Sequence, residues 1–114
     1  GENTNEYSTY DSREDCNAII ETATNTLVIG CKSTIIPKSI SKIGEYAFFY
    51  CSSLYTILCH ATVPPRITTI INSPVIDIYV PDEAVEAYKK DFNWNYYNIL
   101  PMSEYATREE ILIE

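Results

Sequence analysis

Residues 36–58, with the sequence Ile-Pro-Lys-Ser-Ile-Ser-Lys-Ile-Gly-Glu-Tyr-Ala-Phe-Phe-Tyr-Cys-Ser-Ser-Leu-Tyr-Thr-Ile-Leu, form the stretch on which the prediction of the fold depends. Apolar residues recur in it at uneven intervals: Ile36, Ile40, Ile43, Ala47, Phe48, Cys51, Leu54 and Ile57. This spacing fits neither the period of a helix nor the alternation of a strand. It is typical of a coil that turns several corners around a common apolar axis, so it predicts one complete turn of a solenoid.

Three related apolar segments recur along the chain. They are Thr34-Ile35-Ile36-Pro37, Ile57-Leu58-Cys59-His60 and Ile78-Tyr79-Val80-Pro81, and they are spaced by roughly 22 residues, a period found in repeat proteins. The alignment places Ile36, Cys59 and Val80 at equivalent inward positions of a parallel ladder. It therefore predicts a short solenoid of about two to three coils in which these segments are stacked strands.

The same register predicts a second apolar row on the opposite face, made of Ile35, Leu58 and Tyr79. Parallel strands with two apolar faces are ordinarily covered on both sides. Three ways of covering the row remain open at this stage. The C-terminal residues 111–113 fold back over it, a second copy of the chain covers it, or an external ligand does.

Composition divides the chain into an arm, a folded domain and a tail. Polar, aperiodic residues at 1–15 predict a flexible acidic arm. Residues 103–114 form a tail, either as a short helix or as an added strand. The domain, residues 16–102, is predicted to contain an N-terminal hairpin at 16–33, repeats at 34–81 and a C-terminal cap at 82–102.

The two caps have separate signals. Two β-rich runs, residues 18–20 and 27–29, flank the turn residue Asn25 and predict the hairpin. Acidic residues at the start and lysines near the end of residues 82–92 predict a helix, as the helix dipole prefers. The apolar face of this helix is predicted to hold Ala84, Val85, Tyr88 and Phe92, with Trp94 and further aromatic residues after it.

Charge disfavours several kinds of partner. The 114 residues include 16 acidic and 8 basic side chains, a formal net charge of −8, which repels phosphate backbones and anionic lipid surfaces. We therefore expect no nucleic-acid partner. No apolar run approaches the roughly 20 residues that a membrane-spanning helix needs, so we expect no membrane span.

The cysteines and the single histidine do not predict a catalytic centre. Cys16, Cys31, Cys51 and Cys59 include no Cys-x-x-Cys pair, so we expect no metal. Gly30 and Gly44 are isolated and predict no phosphate-binding loop, and we expect no cofactor. Cys51 and Cys59 fall at inward positions and are predicted core residues, whereas a Cys16 to Cys31 disulfide remains open. Strand alternation points His60 away from Cys59, so no catalytic role is expected for either residue.

The quoted stretch also resembles a known family. The pattern Ile43-Gly44-x-x-Ala47-Phe48-x-x-Cys51-Ser52-Ser53-Leu54-x-x-Ile57 is similar to the bacterial surface-antigen type of leucine-rich repeat, common in exported proteins of Bacteroides-like gut bacteria. Tyr79-Val80-Pro81, Tyr88-Lys89, Trp94 and Ile99-Leu100-Pro101 resemble its closing segment, and the likeness extends over about residues 16–102. The resemblance implies a mainly β leucine-rich-repeat solenoid with short helices. It also implies an interaction module at the cell surface or in the periplasm, with the export signal absent from this sequence.

The resulting functional hypothesis is a non-catalytic module that binds a protein or glycan. A homodimer through the apolar strand face or the solenoid edge is a further option, and the alternative function is a structural cap or spacer of a larger surface protein. The candidate interaction surface contains Ile35, Leu58, Tyr79, Tyr46, Tyr50 and Tyr55. A binder is expected to expose these tyrosines as one patch, and a spacer to disperse or bury them.

Overall fold

The computed structural model describes residues 8–49, 51, 54–67 and 77–105. The strands are β1 at Tyr10–Asp11, β2 at Ile19–Glu21, β3 at Thr26–Ile29, β4 at Ile35–Ile36, β5 at Lys42–Ile43, β6 at Thr56–Cys59, β7 at Asp77–Val80 and β8 at Asn98–Pro101. Helix α1 covers Val85–Lys90 and follows a 3-10 turn at Asp82–Ala84. Another 3-10 turn covers Arg13–Asp15, and residues 102–105 are helical.

The strands form two four-stranded sheets. The first sheet has the order β1-β2-β3-β5, with antiparallel pairing from β1 to β3 and parallel pairing of β3 with β5. The second sheet has the order β4-β6-β7-β8 and is parallel throughout. Helix α1 connects β7 to β8, as a crossover between parallel strands requires.

The prediction of a mainly β leucine-rich-repeat solenoid is wrong. The chain forms a small α/β domain whose two sheets differ in strand direction, and α1 stands where a further repeat would be. The sequence pattern led to the wrong architecture because a spacing of roughly 22 residues between similar strands is not specific to a solenoid. It also suits parallel strands joined by crossovers of a dozen or more residues. Periodicity therefore predicted the strands and not their connections.

The register predicted for the parallel strands is confirmed. The cross-strand partners are Ile35 with Leu58, Ile36 with Cys59, and Leu58 with Tyr79. The inward residues are completely buried, at 0% exposure each: Ile36, Cys59 and Val80. Alternation of side chains along the strands therefore decided which apolar residues enter the core.

The N-terminal hairpin is confirmed, whereas the arm is shorter than predicted. β2 pairs antiparallel with β3, and Asn25 adopts a φ of 54° in the turn that joins them. β1 pairs with β2, so residues 10–15 belong to the folded domain and not to a flexible arm. Residues 1–7 of the predicted arm lie outside the described part of the chain.

Arg13 holds this N-terminal segment against the hairpin. Its guanidinium forms two 2.7 Å hydrogen bonds to the Asp11 carboxylate and a third, also 2.7 Å, to the side-chain oxygen of Asn25. It donates a further hydrogen bond of 3.0 Å to Ser39. The hydrogen bonds from Arg13 lower the pKa of Asp11, so this pair stays charged over the physiological pH range.

The C-terminal segment packs against the core and is held there by two buried hydrogen bonds. The Tyr88 hydroxyl donates to the Ala61 carbonyl oxygen at 2.6 Å, and the Trp94 indole donates to the Pro65 carbonyl oxygen at 2.7 Å. The predicted helix ends at Lys90, so Phe92 leaves the helical face and is 84% exposed. Residues 98–101 were predicted as part of a cap and instead form β8, the edge strand of the second sheet.

Phe48 packs against backbone that has no room for another atom. A Cβ atom at Gly30 would lie 2.3 Å from Cε1 of Phe48, so glycine is required at this close approach. Phe48 and Leu54 are each 1% exposed. Both residues belong to the apolar pattern of the quoted stretch, and both are buried as that pattern predicts.

Replacing Phe48 or Leu54 by Ala is expected to lower the free energy of unfolding by about 3 kcal/mol, because each leaves a cavity that the core cannot refill. Urea denaturation followed by circular dichroism measures the change. Phe92→Ala, at an exposed aromatic residue, is the matched control and is expected to change stability by less than about 0.5 kcal/mol. Equal effects of Phe48→Ala and Phe92→Ala would contradict the packing described.

Candidate interaction surface

The predicted apolar row exists and is partly covered by the chain itself. Ile35, Leu58 and Tyr79 are neighbours across β4, β6 and β7, as predicted. Ile35 and Leu58 are half-buried, whereas Tyr79 is only 3% exposed. Tyr79 packs edge-on against Tyr105, with ring centroids 5.0 Å apart. Residues 111–113, the predicted cover, lie outside the described residues.

Two of the other candidate tyrosines are exposed, in contrast to Tyr79, so the candidate tyrosines do not form one exposed patch. Tyr46 is 67% exposed and Tyr55 is 62% exposed, so both face solvent. Tyr46 packs edge-on against Phe49, with centroids 5.6 Å apart and an interplanar angle of 89°. Tyr50 lies outside the described residues.

Local hydrogen bonding explains why Tyr46 and Phe49 meet. Successive turns link the amide of Ala47 to the carbonyl of Gly44 at 3.1 Å and the amide of Phe49 to the carbonyl of Tyr46 at 3.1 Å. Such turns repeat every three residues, so positions 46 and 49 stand above each other. Ala47 and Phe48 point into the core and leave the other two rings outside.

Phe49 was not among the surface residues predicted from the sequence. The signal that could have revealed it is the doublet Phe48-Phe49, because two adjacent rings in a turn cannot both enter one core. Phe49 is 46% exposed and also makes contacts beyond Tyr46. The aromatic pair, Tyr46 and Phe49, is thus a fixed apolar feature of the surface.

The buried cysteine has the character of a core residue. Cys59 is fully buried, and its sulfur lies 3.2 Å from the Tyr88 hydroxyl oxygen. Burial raises the pKa of the Cys59 thiol to about 11, so it stays protonated near neutral pH. His60 is exposed on the other side of the chain, as strand alternation predicted.

The remaining thiols differ in environment, and all four cysteines are free. Cys51 packs against the core at partial exposure. Cys31 is exposed, and its sulfur lies 3.2 Å from the Ser33 hydroxyl and 3.4 Å from the Asn17 carbonyl oxygen. The hydrogen bond from Ser33 lowers the pKa of Cys31, because it stabilises the thiolate. No disulfide joins Cys16 and Cys31 in this structure.

Within residues 8–49, 51, 54–67 and 77–105, no group of three or more His, Cys, Asp or Glu side chains is arranged to hold a metal ion. Over the same residues, none of the helices combines the length and apolar character needed to cross a bilayer.

Comparison with protein-family models, curated proteins and solved structures finds no significant match. The resemblance to surface-antigen repeats consequently stays a sequence-based expectation.

The thiols are expected to differ in reactivity. Iodoacetamide should modify Cys31 about one hundredfold faster than Cys59 in the folded protein, because Cys31 is accessible and more acidic. Peptide mass spectrometry after timed quenching measures both rates. Cys31→Ser serves as the control for assignment, and urea is expected to equalise the two sites. Faster modification of Cys59 in the folded state would contradict this arrangement.

The Cys59 thiol is expected to make stability fall at alkaline pH. Its pKa is raised from 9.0 to about 11, so the folded state holds this proton more tightly than the unfolded state. The stabilisation is complete below pH 9 and is lost as pH rises towards 11, by about 3 kcal/mol in all. Urea denaturation at pH 8, 9, 10 and 11 measures it. The Cys59→Ala variant is expected to lose correspondingly less stability over this pH range. Parallel pH profiles of stability for the parent and the variant would contradict the assignment of this loss to Cys59.

Proposed function

We propose that this domain is a non-catalytic interaction module that binds a protein or glycan partner through the aromatic pair. The observation that carries the proposal is the edge-on contact of Tyr46 and Phe49, two rings that remain 67% and 46% exposed. Exposed aromatic side chains supply large contact areas, and tyrosine also offers a hydroxyl for hydrogen bonding.

The turn that carries the aromatic pair supports this function. Its two inward residues, Ala47 and Phe48, are 4% and 1% exposed and anchor the backbone. The amide of Gly30 also donates a hydrogen bond of 2.8 Å to the Ala47 carbonyl oxygen. A surface that is already fixed loses less conformational entropy on binding, which increases affinity for a given contact area.

The partner is expected at the cell surface or in the periplasm, in line with the family resemblance. The net charge of −8 disfavours nucleic acid. A second copy of the chain, seated on the half-buried Ile35 and Leu58, is the other partner that the surface supports.

The alternative function is a structural cap or spacer in a larger surface protein. Two observations favour it. Tyr79 is buried beneath Tyr105, so the chain covers part of its own apolar row. The candidate tyrosines also do not form one exposed patch, which is the arrangement expected of a spacer. In that case the domain has no ligand, and the aromatic pair has no role beyond local packing.

The double replacement Tyr46→Ala with Phe49→Ala is expected to weaken partner binding at least about tenfold. The measurement is binding of the purified domain to an immobilised panel of glycans and extracellular proteins. Tyr96→Ala, at a residue that is 83% exposed, is the matched control and should bind as the parent does.

Circular dichroism checks that each variant is folded, and sedimentation velocity measures self-association. Undiminished binding by the double variant would contradict the role of the aromatic pair. Absence of any binding across the panel, with a monomeric protein, would favour the spacer.

A further inference from the structure

Two positive side chains stand side by side on the first sheet. Lys42 of β5 is the cross-strand partner of Arg66 in a parallel bridge, and its other neighbour is Thr26 of β3. The bridge is closed by hydrogen bonds from the Ile43 amide to the Arg66 carbonyl at 2.9 Å and from the Arg66 amide to the Ser41 carbonyl at 3.0 Å. Paired residues on adjacent strands project to the same face, so Thr26, Lys42 and Arg66 form one row.

This arrangement is unfavourable in the free protein. Neighbouring strands are about 4.8 Å apart, and like charges directly opposite each other destabilise a sheet. Lys42 and Arg66 are both exposed, and within the described residues neither forms an ion pair with a carboxylate. An anion placed between the two cations would attract both of them and offset their mutual repulsion.

The two cations line an open groove of about 370 Å³, a volume suited to a monosaccharide-sized group. Thr26, Gly44 and Glu45 contribute to its walls. The Thr26 hydroxyl and the Glu45 carboxylate can exchange hydrogen bonds with ligand hydroxyls. Glu45 of the groove directly precedes Tyr46 of the aromatic pair in the sequence.

We propose that this groove binds the carboxylate or sulfate group of an acidic glycan, with Lys42 and Arg66 on the anion. A glycan fits better than an acidic peptide because it combines a single anionic group with hydroxyls that can donate to Glu45. A peptide with many carboxylates would be repelled by Glu45 and by the net charge of −8 more strongly than a glycan with one anionic group. The proposal rests on the binding function proposed above and specifies its ligand.

The test is titration of the ¹⁵N-labelled full chain by NMR with defined probes. They are a trisaccharide with a single glucuronic acid residue, a disaccharide with a single sulfate group, neutral maltotriose and a tetra-aspartate peptide. An acidic saccharide is expected to shift the amide signals of Thr26 and Gly44, and maltotriose and the peptide are not. Comparison of the carboxylated trisaccharide with the sulfated disaccharide distinguishes a carboxylate ligand from a sulfate ligand.

Lys42→Gln and Arg66→Gln are each expected to weaken binding of the acidic saccharide about tenfold. Lys90→Gln, which removes the same charge at the C-terminal end of α1, is the matched control and is expected to bind as the parent does. Equal binding by Lys42→Gln and the control would overturn the proposal. Preference for maltotriose or for the peptide, or failure of both acidic saccharides to bind, would also overturn it.

The variant lacking both rings, Tyr46→Ala with Phe49→Ala, separates this proposal from the broader one. If it binds the acidic saccharide normally while Lys42→Gln does not, the proposed groove is supported and the proposed role of the aromatic pair is contradicted. If binding to the panel of glycans and proteins depends on the aromatic pair and is unchanged in Lys42→Gln and Arg66→Gln, the proposed interaction module is supported. The proposed anion-binding groove is then overturned.

Discussion

Parallel pairing of β4, β6, β7 and β8 is the constraint on which the rest of the structure depends. Parallel strands bury both faces, so each strand needs apolar residues on both faces and cover on either side. The inner row of Ile36, Cys59 and Val80 meets the core contributed by Phe48, Leu54, Tyr88 and Trp94. Helix α1 exists at this position because β7 and β8 run in the same direction and need a crossover.

The sequence predicted the elements that depend on local alternation. The register of Ile35, Leu58 and Tyr79, the hairpin turn at Asn25 and the helix after Pro81 were all correct. The architecture was wrong, because strand periodicity contains no information about how one strand is connected to the next. β1 was also missed, since a two-residue strand has no period and depends on the long-range contacts of Arg13.

Much of the candidate surface could not be predicted, and the reasons differ by residue. The exposure of Tyr46 follows from the turn, whereas the burial of Tyr79 depends on Tyr105, which contacts it only in the folded chain. The adjacency of Lys42 and Arg66 depends on a single bridge between segments distant in sequence. Neither residue belongs to an apolar pattern, so hydrophobic spacing gives no signal for either of them.

The hydrogen bonds from Tyr88 and Trp94 also affect the order in which the protein can fold. The carbonyl oxygens of Ala61 and Pro65 accept from side chains 27 and 29 residues further along the chain. Synthesis proceeds from the N-terminus, so this segment leaves the ribosome before either donor exists. The first sheet can pair its β1–β3 strands early, whereas the interior around β6 stays incomplete until the last third of the domain emerges. Nascent chains of this protein therefore pass through a stage in which their apolar interior is accessible to chaperones.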